Sequence, residues 1–144
     1  MIFNDISLED QSRLVDGLEA PFFNPGNGVF QFYDTSEGRV SAAICYEMIF
    51  PNYIRKAGKL GTEILLAPSS DWKNVRNIHY RMAVLRAVEN GFSLLRPTSD
   101  GITAAVDPYG RIMGQVDYFV SNTFNMITIL PVSYTHLTLP TNRE

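Results

Sequence analysis

The stretch Ala42–Pro51, AAICYEMIFP, carries the residue with the clearest chemical potential, the single cysteine of the chain, Cys45. An apolar run precedes Cys45 and a proline follows it, so the thiol is predicted to end a buried strand just before a helix. A rigid element would then present the thiol, and the nearby helix N-terminus would stabilise a thiolate. The carboxylate of Glu47 would oppose that anion. Spacing alone leaves Cys45 equally open as a nucleophile and as a small core residue.

A catalytic cysteine usually works with a histidine, and His79 is the candidate base. His79 directly follows core-facing Ile78 on a predicted helix, so a surface or hydrogen-bonded histidine is the favoured interpretation. His79 and His136 show no metal-ligand spacing, and one cysteine cannot form an internal disulfide or a thiolate cluster. We therefore expect neither a metal nor another cofactor.

The composition predicts one globular domain. The chain has 144 residues, of which 45% are hydrophobic, enough for one core and too few for two. The net charge of -3 and the presence of only three lysines argue against nucleic acid as a partner. No apolar run approaches the roughly 18 residues of a membrane helix, and the N-terminus does not resemble a signal peptide. As given, the chain is expected to be soluble.

The elements that position Cys45 follow from hydrophobic patterns. Strands are predicted at 29–33, 40–46, 63–70, 92–96, 102–106 and 111–116, the first two as a hairpin and the last two joined by a turn at Asp107–Gly110. The run Val40–Cys45 is apolar enough for a strand covered on both faces. Helices are predicted over Ser7–Leu18, from Pro51, and over Asn74–Asn90.

The predicted helix over Asn74–Asn90 has apolar residues at intervals of three and four. These residues, expected to face the core, are Ile78, Met82, Leu85 and Val88. The whole order indicates an α/β fold with a mixed sheet, a hairpin at each end and crossover helices packed on one face.

The tail after Pro131 has no pattern that continues this fold. Its start, VSYTHL, resembles the translation of a transposon-end adapter used in sequencing libraries. Residues 132–144 are therefore predicted to be a non-native tail, the alternative being an ordinary polar terminus. The domain is assigned to residues 1–131.

Three blocks of the sequence together resemble the carbon–nitrogen hydrolase (nitrilase) superfamily, most closely its bacterial apolipoprotein N-acyltransferase branch. The resemblance covers about 23–116, and its blocks are ICYEMIFPNYIRKAG, ILLAPSSDW and RAVENGFSLLRPTSDGITAAVDPYGRI. It implies part of an α-β-β-α sandwich with a mixed sheet and hairpins. It also implies that Cys45 is the nucleophile, that Glu47 helps to organise the active site, and that Glu89 and 96–102 are structural. The residues implied to contact substrate are Tyr46, Ser69, Ser70, Asp71 and Trp72.

In this family a thiolate attacks an acyl carbonyl, a glutamate acts as base, and a lysine stabilises the oxyanion. That glutamate and lysine precede the cysteine, but no lysine precedes Cys45 and no earlier glutamate lies in a family motif. The resemblance thus implies that 1–131 is the C-terminal portion of a catalytic domain, truncated on its N-terminal side and inactive alone. Half of a two-sheet fold would also leave an apolar sheet surface exposed.

The resemblance implies an acyl donor, either a phospholipid or a small amide, and an amine or water as acceptor. Glu47 is followed by Met48–Pro51 without the arginine that is common in amidases, which favours fatty acyl transfer from phospholipid to a lipoprotein N-terminus. The parent protein would then lie in the bacterial cytoplasmic membrane through missing upstream segments, with this domain on the periplasmic side. A soluble amidase and a non-catalytic degenerate domain remain the alternatives. The sequence does not specify the oligomeric state.

Overall fold

The structure, a computed structural model, describes residues 29–121 and 126–131. Within this part of the chain, six strands form one sheet, and two α-helices and a 3-10 helix connect them. The elements in chain order are β1 Phe32–Thr35, β2 Gly38–Ala42, the 3-10 helix Cys45–Ile49, α1 Pro51–Lys59, β3 Ile64–Leu66, α2 Arg76–Asn90, β4 Ser93–Arg96, β5 Ile102–Val106 and β6 Ile112–Asp117. The helix predicted over Ser7–Leu18 and the tail 132–144 lie outside the described residues.

The strands lie in the sheet in the order in which they occur along the chain. β1 and β2 form an antiparallel hairpin, β2, β3 and β4 are parallel, and β4, β5 and β6 are antiparallel. Parallel neighbours need crossover connections, which α1 and α2 supply. The predicted α/β fold with a mixed sheet and a hairpin at each end is confirmed.

The helices cover one face of the sheet and form the core there. Leu65, Leu94 and Val106 lie in register on β3, β4 and β5, and all three are fully buried. Ile54 and Ala57 of α1 are buried in the same cluster. α1 begins at Pro51 and carries its cations in the last turn, as predicted.

The predicted core face of α2 is wrong, although its end at left-handed Gly91 is confirmed and its start lies two residues after the predicted one. Ile78, Leu85 and Val88 are 60%, 49% and 45% exposed, and Met82 is half-buried. The buried positions of α2 are Ala83, Arg86 and Ala87. The small side chains let the helix lie close to the sheet, and Tyr80 and Val84 pack against the same core while partly buried.

The opposite face of the sheet is open beside β1 and β2. Ala42 and Ile44 are exposed, so the prediction of a strand covered on both faces is wrong for β2. A cavity of about 360 Å³ opens there, and the residues that line it are Gln31, Tyr33, Val40, Ser41, Ala42, Ile44, Glu47, Tyr53 and Leu66. Residues 126–131 lie along the other half of this face, where the Ser93 hydroxyl donates to the Pro131 carbonyl.

The turn between β5 and β6 is built around Asp107, as predicted. The Gly110 N–H donates to the Asp107 carbonyl at 3.0 Å. The buried Asp107 carboxylate accepts hydrogen bonds from the N–H groups of Tyr109 and Arg111, at 2.9 and 2.8 Å, and from the Arg111 guanidinium. Burial by itself would raise the pKa of Asp107, but these hydrogen bonds outweigh it and hold the pKa below its ordinary value.

Candidate active site

Cys45 lies three residues beyond Ala42, where β2 ends, and occupies the first position of the 3-10 helix, so the prediction of a strand that extends to residue 46 is wrong at its end. Its φ of 48° is the one positive value at a non-glycine residue in the described part of the chain. Such a backbone is costly for an L-residue and is characteristic of sharp turns that present a reactive side chain. The Cys45 N–H donates to the Pro68 carbonyl at 2.9 Å, which fixes the turn.

Cys45 is half-buried, so the residue is not sealed in the core. Its Sγ lies 3.6 Å from the Ser70 carbonyl oxygen, within the longer reach of a sulfur hydrogen bond. The loop after β3 thus forms one wall of the site. The turn that carries Cys45 forms the other.

Glu47 is buried, with 2% of its surface exposed, so a solvent-facing role is excluded. Its Oε2 accepts a hydrogen bond from the Ile44 N–H at 2.6 Å, and its own N–H donates to the Ile44 carbonyl at 3.0 Å. The side chain and the backbone of Glu47 therefore both bond to Ile44, the residue that precedes Cys45. This geometry fits a residue that shapes the nucleophile turn.

Tyr46 links the 3-10 helix to α2. Its ring meets the Phe50 ring edge-on at 5.7 Å and the His79 ring edge-on at 5.9 Å. Tyr46, the residue after Cys45, therefore packs against His79 from the first turns of α2.

The loop after β3 lies beside the loop between β4 and β5. The Ser69 N–H donates to the Pro97 carbonyl at 2.9 Å, and the Ser70 hydroxyl lies 3.5 Å from an Asp100 carboxylate oxygen. These contacts hold Ser70 beside the Cys45 thiol. Trp72 lies at the end of the loop and is 80% exposed to solvent.

Asp71 is in a different situation from its neighbours, because its side chain is fully buried. Its Oδ2 lies 2.7 Å from Arg96 Nη2, and its Oδ1 lies 3.1 Å from His79 Nδ1. The resemblance implied that Asp71 lines a substrate pocket, and in the structure its carboxylate bonds to Arg96 and His79 beneath the loop. His79 is the hydrogen-bonded helix histidine that the sequence favoured.

This cluster of Asp71, His79 and Arg96 is the part of the site that sequence reasoning missed. One signal for it exists. Arg96 ends a predicted strand whose other residues are almost all apolar, and a guanidinium buried at such a position requires a carboxylate or another acceptor. Which carboxylate meets it cannot be read from the spacing.

The three lysines after Cys45 do not extend the site. Lys56 and Lys59 lie in the last turn of α1, and Lys73 is exposed after the loop. In residues 29–121 and 126–131, no three His, Cys, Asp or Glu side chains form a group suited to a metal ion. No helix in these residues combines the length and the apolar character needed to cross a bilayer.

Comparison with known proteins places this geometry in context. The carbon-nitrogen hydrolase family model matches residues 4–141. An apolipoprotein N-acyltransferase from Wigglesworthia glossinidia brevipalpis is 34% identical over 130 residues, which cover 84% of this chain and 23% of that protein. One from Shewanella oneidensis is 37% identical over 124 residues, covering 76% and 24%. The chain thus spans about a quarter of the length of these curated relatives.

A solved structure shows the same fold. A mutant of the amidase from Nesterenkonia sp. AN1 superposes with a TM-score of 0.59 at 26% identity, over 66% of this chain and 40% of that chain. That structure shows covalent addition of the acetamide moiety of fluoroacetamide at its active-site cysteine.

Proposed function

Because this chain belongs to the carbon–nitrogen hydrolase family, we propose that Cys45 is the nucleophile of an enzyme that passes an acyl group through a thioester. The thiolate attacks the acyl carbonyl carbon, and collapse of the tetrahedral intermediate expels the alcohol or amine of the donor with a proton. An amine or water then attacks the thioester and releases the thiol. The strained backbone of Cys45, at the start of the 3-10 helix that follows β2, in a residue that is only half-buried, carries this proposal.

The remaining residues of the site have supporting roles in the proposal. Glu47 holds the turn that presents Cys45 through its bond to the Ile44 N–H. Tyr46 and the loop residues Ser69, Ser70 and Trp72 are assigned to the walls that a substrate contacts.

We infer a longer catalytic domain of which residues 1–131 are the C-terminal portion. The chain spans about a quarter of its curated relatives, and no lysine precedes Cys45. The general base and the oxyanion cation are accordingly assigned to the preceding part of the domain. The open face beside β2 supports this inference, since a second sheet would cover it in an α-β-β-α sandwich.

The substrate that we propose is a fatty acyl chain, moved from a phospholipid to the amino terminus of a lipoprotein. The curated relatives named apolipoprotein N-acyltransferase support this choice. The parent protein would then lie in the cytoplasmic membrane, with this domain on its periplasmic side. The amidase likeness favours a second candidate, hydrolysis of a small amide.

Trapping the acyl-enzyme tests the proposal. The full-length protein that carries this segment is incubated with phosphatidylethanolamine vesicles or with acetamide, quenched in acid, and digested for mass spectrometry of the Cys45 peptide. Fatty acylation that is absent in Cys45→Ala supports the acyltransferase, and acetylation from acetamide alone supports the amidase. If the protein is folded and neither product is detected, Cys45 is not the nucleophile, and the remaining interpretation is a non-catalytic domain.

A further inference from the structure

Asp71 directly follows Ser70, whose carbonyl oxygen lies against the Cys45 thiol. Its buried carboxylate lies between the guanidinium of Arg96 at 2.7 Å and the imidazole of His79 at 3.1 Å. A carboxylate is stable inside a protein only when charged or polar partners satisfy it. Two partners from two different elements therefore fix the position of this side chain.

The rest of Asp71 is held equally closely. Its N–H donates to the Asp100 carbonyl at 2.7 Å. Gly101, with a φ of +125°, packs on its side chain so closely that an added Cβ would lie 2.8 Å from Oδ2. Only glycine tolerates both this backbone and this approach. Asp71 is thus held through both its backbone and its carboxylate. We call Asp71 together with Arg96, His79 and Gly101 the clamp.

Both walls of the site connect to this clamp. On one side, the clamp fixes the loop and with it the Ser70 carbonyl that faces the thiol. On the other side, His79 bonds to Asp71 and contacts the ring of Tyr46, the residue next to Cys45. A single carboxylate therefore ties together the two segments between which the thiol lies.

We propose that Asp71 is a positioning residue for Cys45, holding the Ser70 carbonyl on one side of the thiol and, through His79, Tyr46 on the other. The proposal rests on the proposed function, in which Cys45 is the nucleophile. The alternative is that Asp71 and Arg96 form an ion pair that serves stability alone. A stability role changes only the folded fraction, whereas a positioning role changes the reactivity of the thiol within the folded state.

Alkylation of the 144-residue chain separates these roles, because Cys45 is its only thiol. Iodoacetamide labelling is followed by mass spectrometry in buffer and in concentrated guanidinium chloride. Circular dichroism gives the folded fraction of each variant. We expect the folded wild-type chain to react more slowly than the denatured chain, because its thiol is partly covered and held at a carbonyl.

Asp71→Asn keeps the size of the side chain and removes its charge. In the folded state we expect it to raise the labelling rate about two- to tenfold, the range that corresponds to loss of one hydrogen bond. Asp107→Asn is the matched control, because it also neutralises a buried carboxylate that binds an arginine, but in the turn between β5 and β6. We expect less than about a twofold change from this control.

His79→Phe keeps an aromatic ring against Tyr46 and removes the bond to Asp71, so it tests the clamp if Asp71→Asn does not fold. It is expected to raise the rate by a smaller factor, since Arg96 still holds the carboxylate. In the full-length enzyme, Asp71→Asn should lower kcat and leave KM unchanged.

Three results overturn the proposal. They are a wild-type rate equal to the denatured rate, a folded Asp71→Asn or His79→Phe variant with the wild-type rate, and an Asp107→Asn control that shifts the rate equally. Labelling requires no turnover, so its outcome is independent of thioester trapping. If the labelling rate shifts but no thioester forms, Asp71 positions the thiol and the proposed enzyme function is rejected. If a thioester forms but the labelling rate does not shift, Cys45 is the nucleophile and Asp71 is rejected as its positioning residue.

Discussion

Substitutions in α2 provide a direct test of which helix face packs on the sheet. Leu85 is 49% exposed, so Leu85→Ala opens no enclosed cavity and loses about half the transfer free energy of a leucine, roughly 1 kcal/mol. Ala87 is fully buried against the sheet, so the larger side chain of Ala87→Leu must displace its neighbours. Overpacking of this kind costs about 1–3 kcal/mol. The smaller residue therefore occupies the more sensitive position.

Urea unfolding followed by circular dichroism measures both effects, with equal m-values as the condition for comparison. Leu65→Ala is the reference, because Leu65 is fully buried on β3 and its truncation should cost about 2–5 kcal/mol. If Leu85→Ala costs as much as Leu65→Ala while Ala87→Leu is neutral, the described orientation of α2 is wrong. The helix would then bury the stripe that its spacing predicts.

Three further predictions concern single residues. Gly101→Ala should destabilise the fold by about 2 kcal/mol in urea unfolding, because of its left-handed backbone and the 2.8 Å approach to Asp71. Glu47→Ala should cost about 1–3 kcal/mol in the same assay, since it leaves a backbone N–H without its carboxylate partner, while Glu47→Gln should cost less. Burial of Asp107 opposes its ionisation, but hydrogen bonds from the turn and from Arg111 hold its pKa below the ordinary value. Its contribution to stability is therefore complete above about pH 4 and is lost as the pH falls through the folded pKa, and a pH series should show a smaller acid loss for Asp107→Asn.

The approximate positions of the strands and the turn at Asp107–Gly110 were predictable because their signals are local. Apolar runs separated by Gly, Pro and Asp define the strands, and Pro51 and Gly91 mark where one helix begins and the other ends. The same pattern places Cys45 near the end of the second strand, although β2 ends at Ala42 and not at 46. The positive φ of Cys45 does not follow from the pattern, since no residue type near it requires that conformation.

The orientation of α2 was not predictable from the period of its large apolar residues. That rule assumes that the largest hydrophobic side chains are buried, whereas here Ala83 and Ala87 face the sheet. Close approach of the helix favours small residues in the contact, and two alanines are buried there while Leu85 and Val88 are exposed. In such a helix the alanine positions predict the packed face better than the leucines do.

The charged cluster beneath the site illustrates a different limit. The cost of burying Arg96 predicts that a carboxylate must meet it, and Asp71 and Asp100 both lie in loops of the neighbouring sequence blocks. Strand register decides between them, because β3 and β4 are parallel and their following loops leave the same edge of the sheet. The Ser69–Thr98 bridge brings those loops into contact, and this register sets Asp71 beneath the loop and Asp100 beside Ser70. In the proposed arrangement, the reactivity of Cys45 depends on tertiary pairing that no local spacing encodes, which is why a variant at Asp71 is expected to change the labelling of a thiol 26 residues away in the sequence.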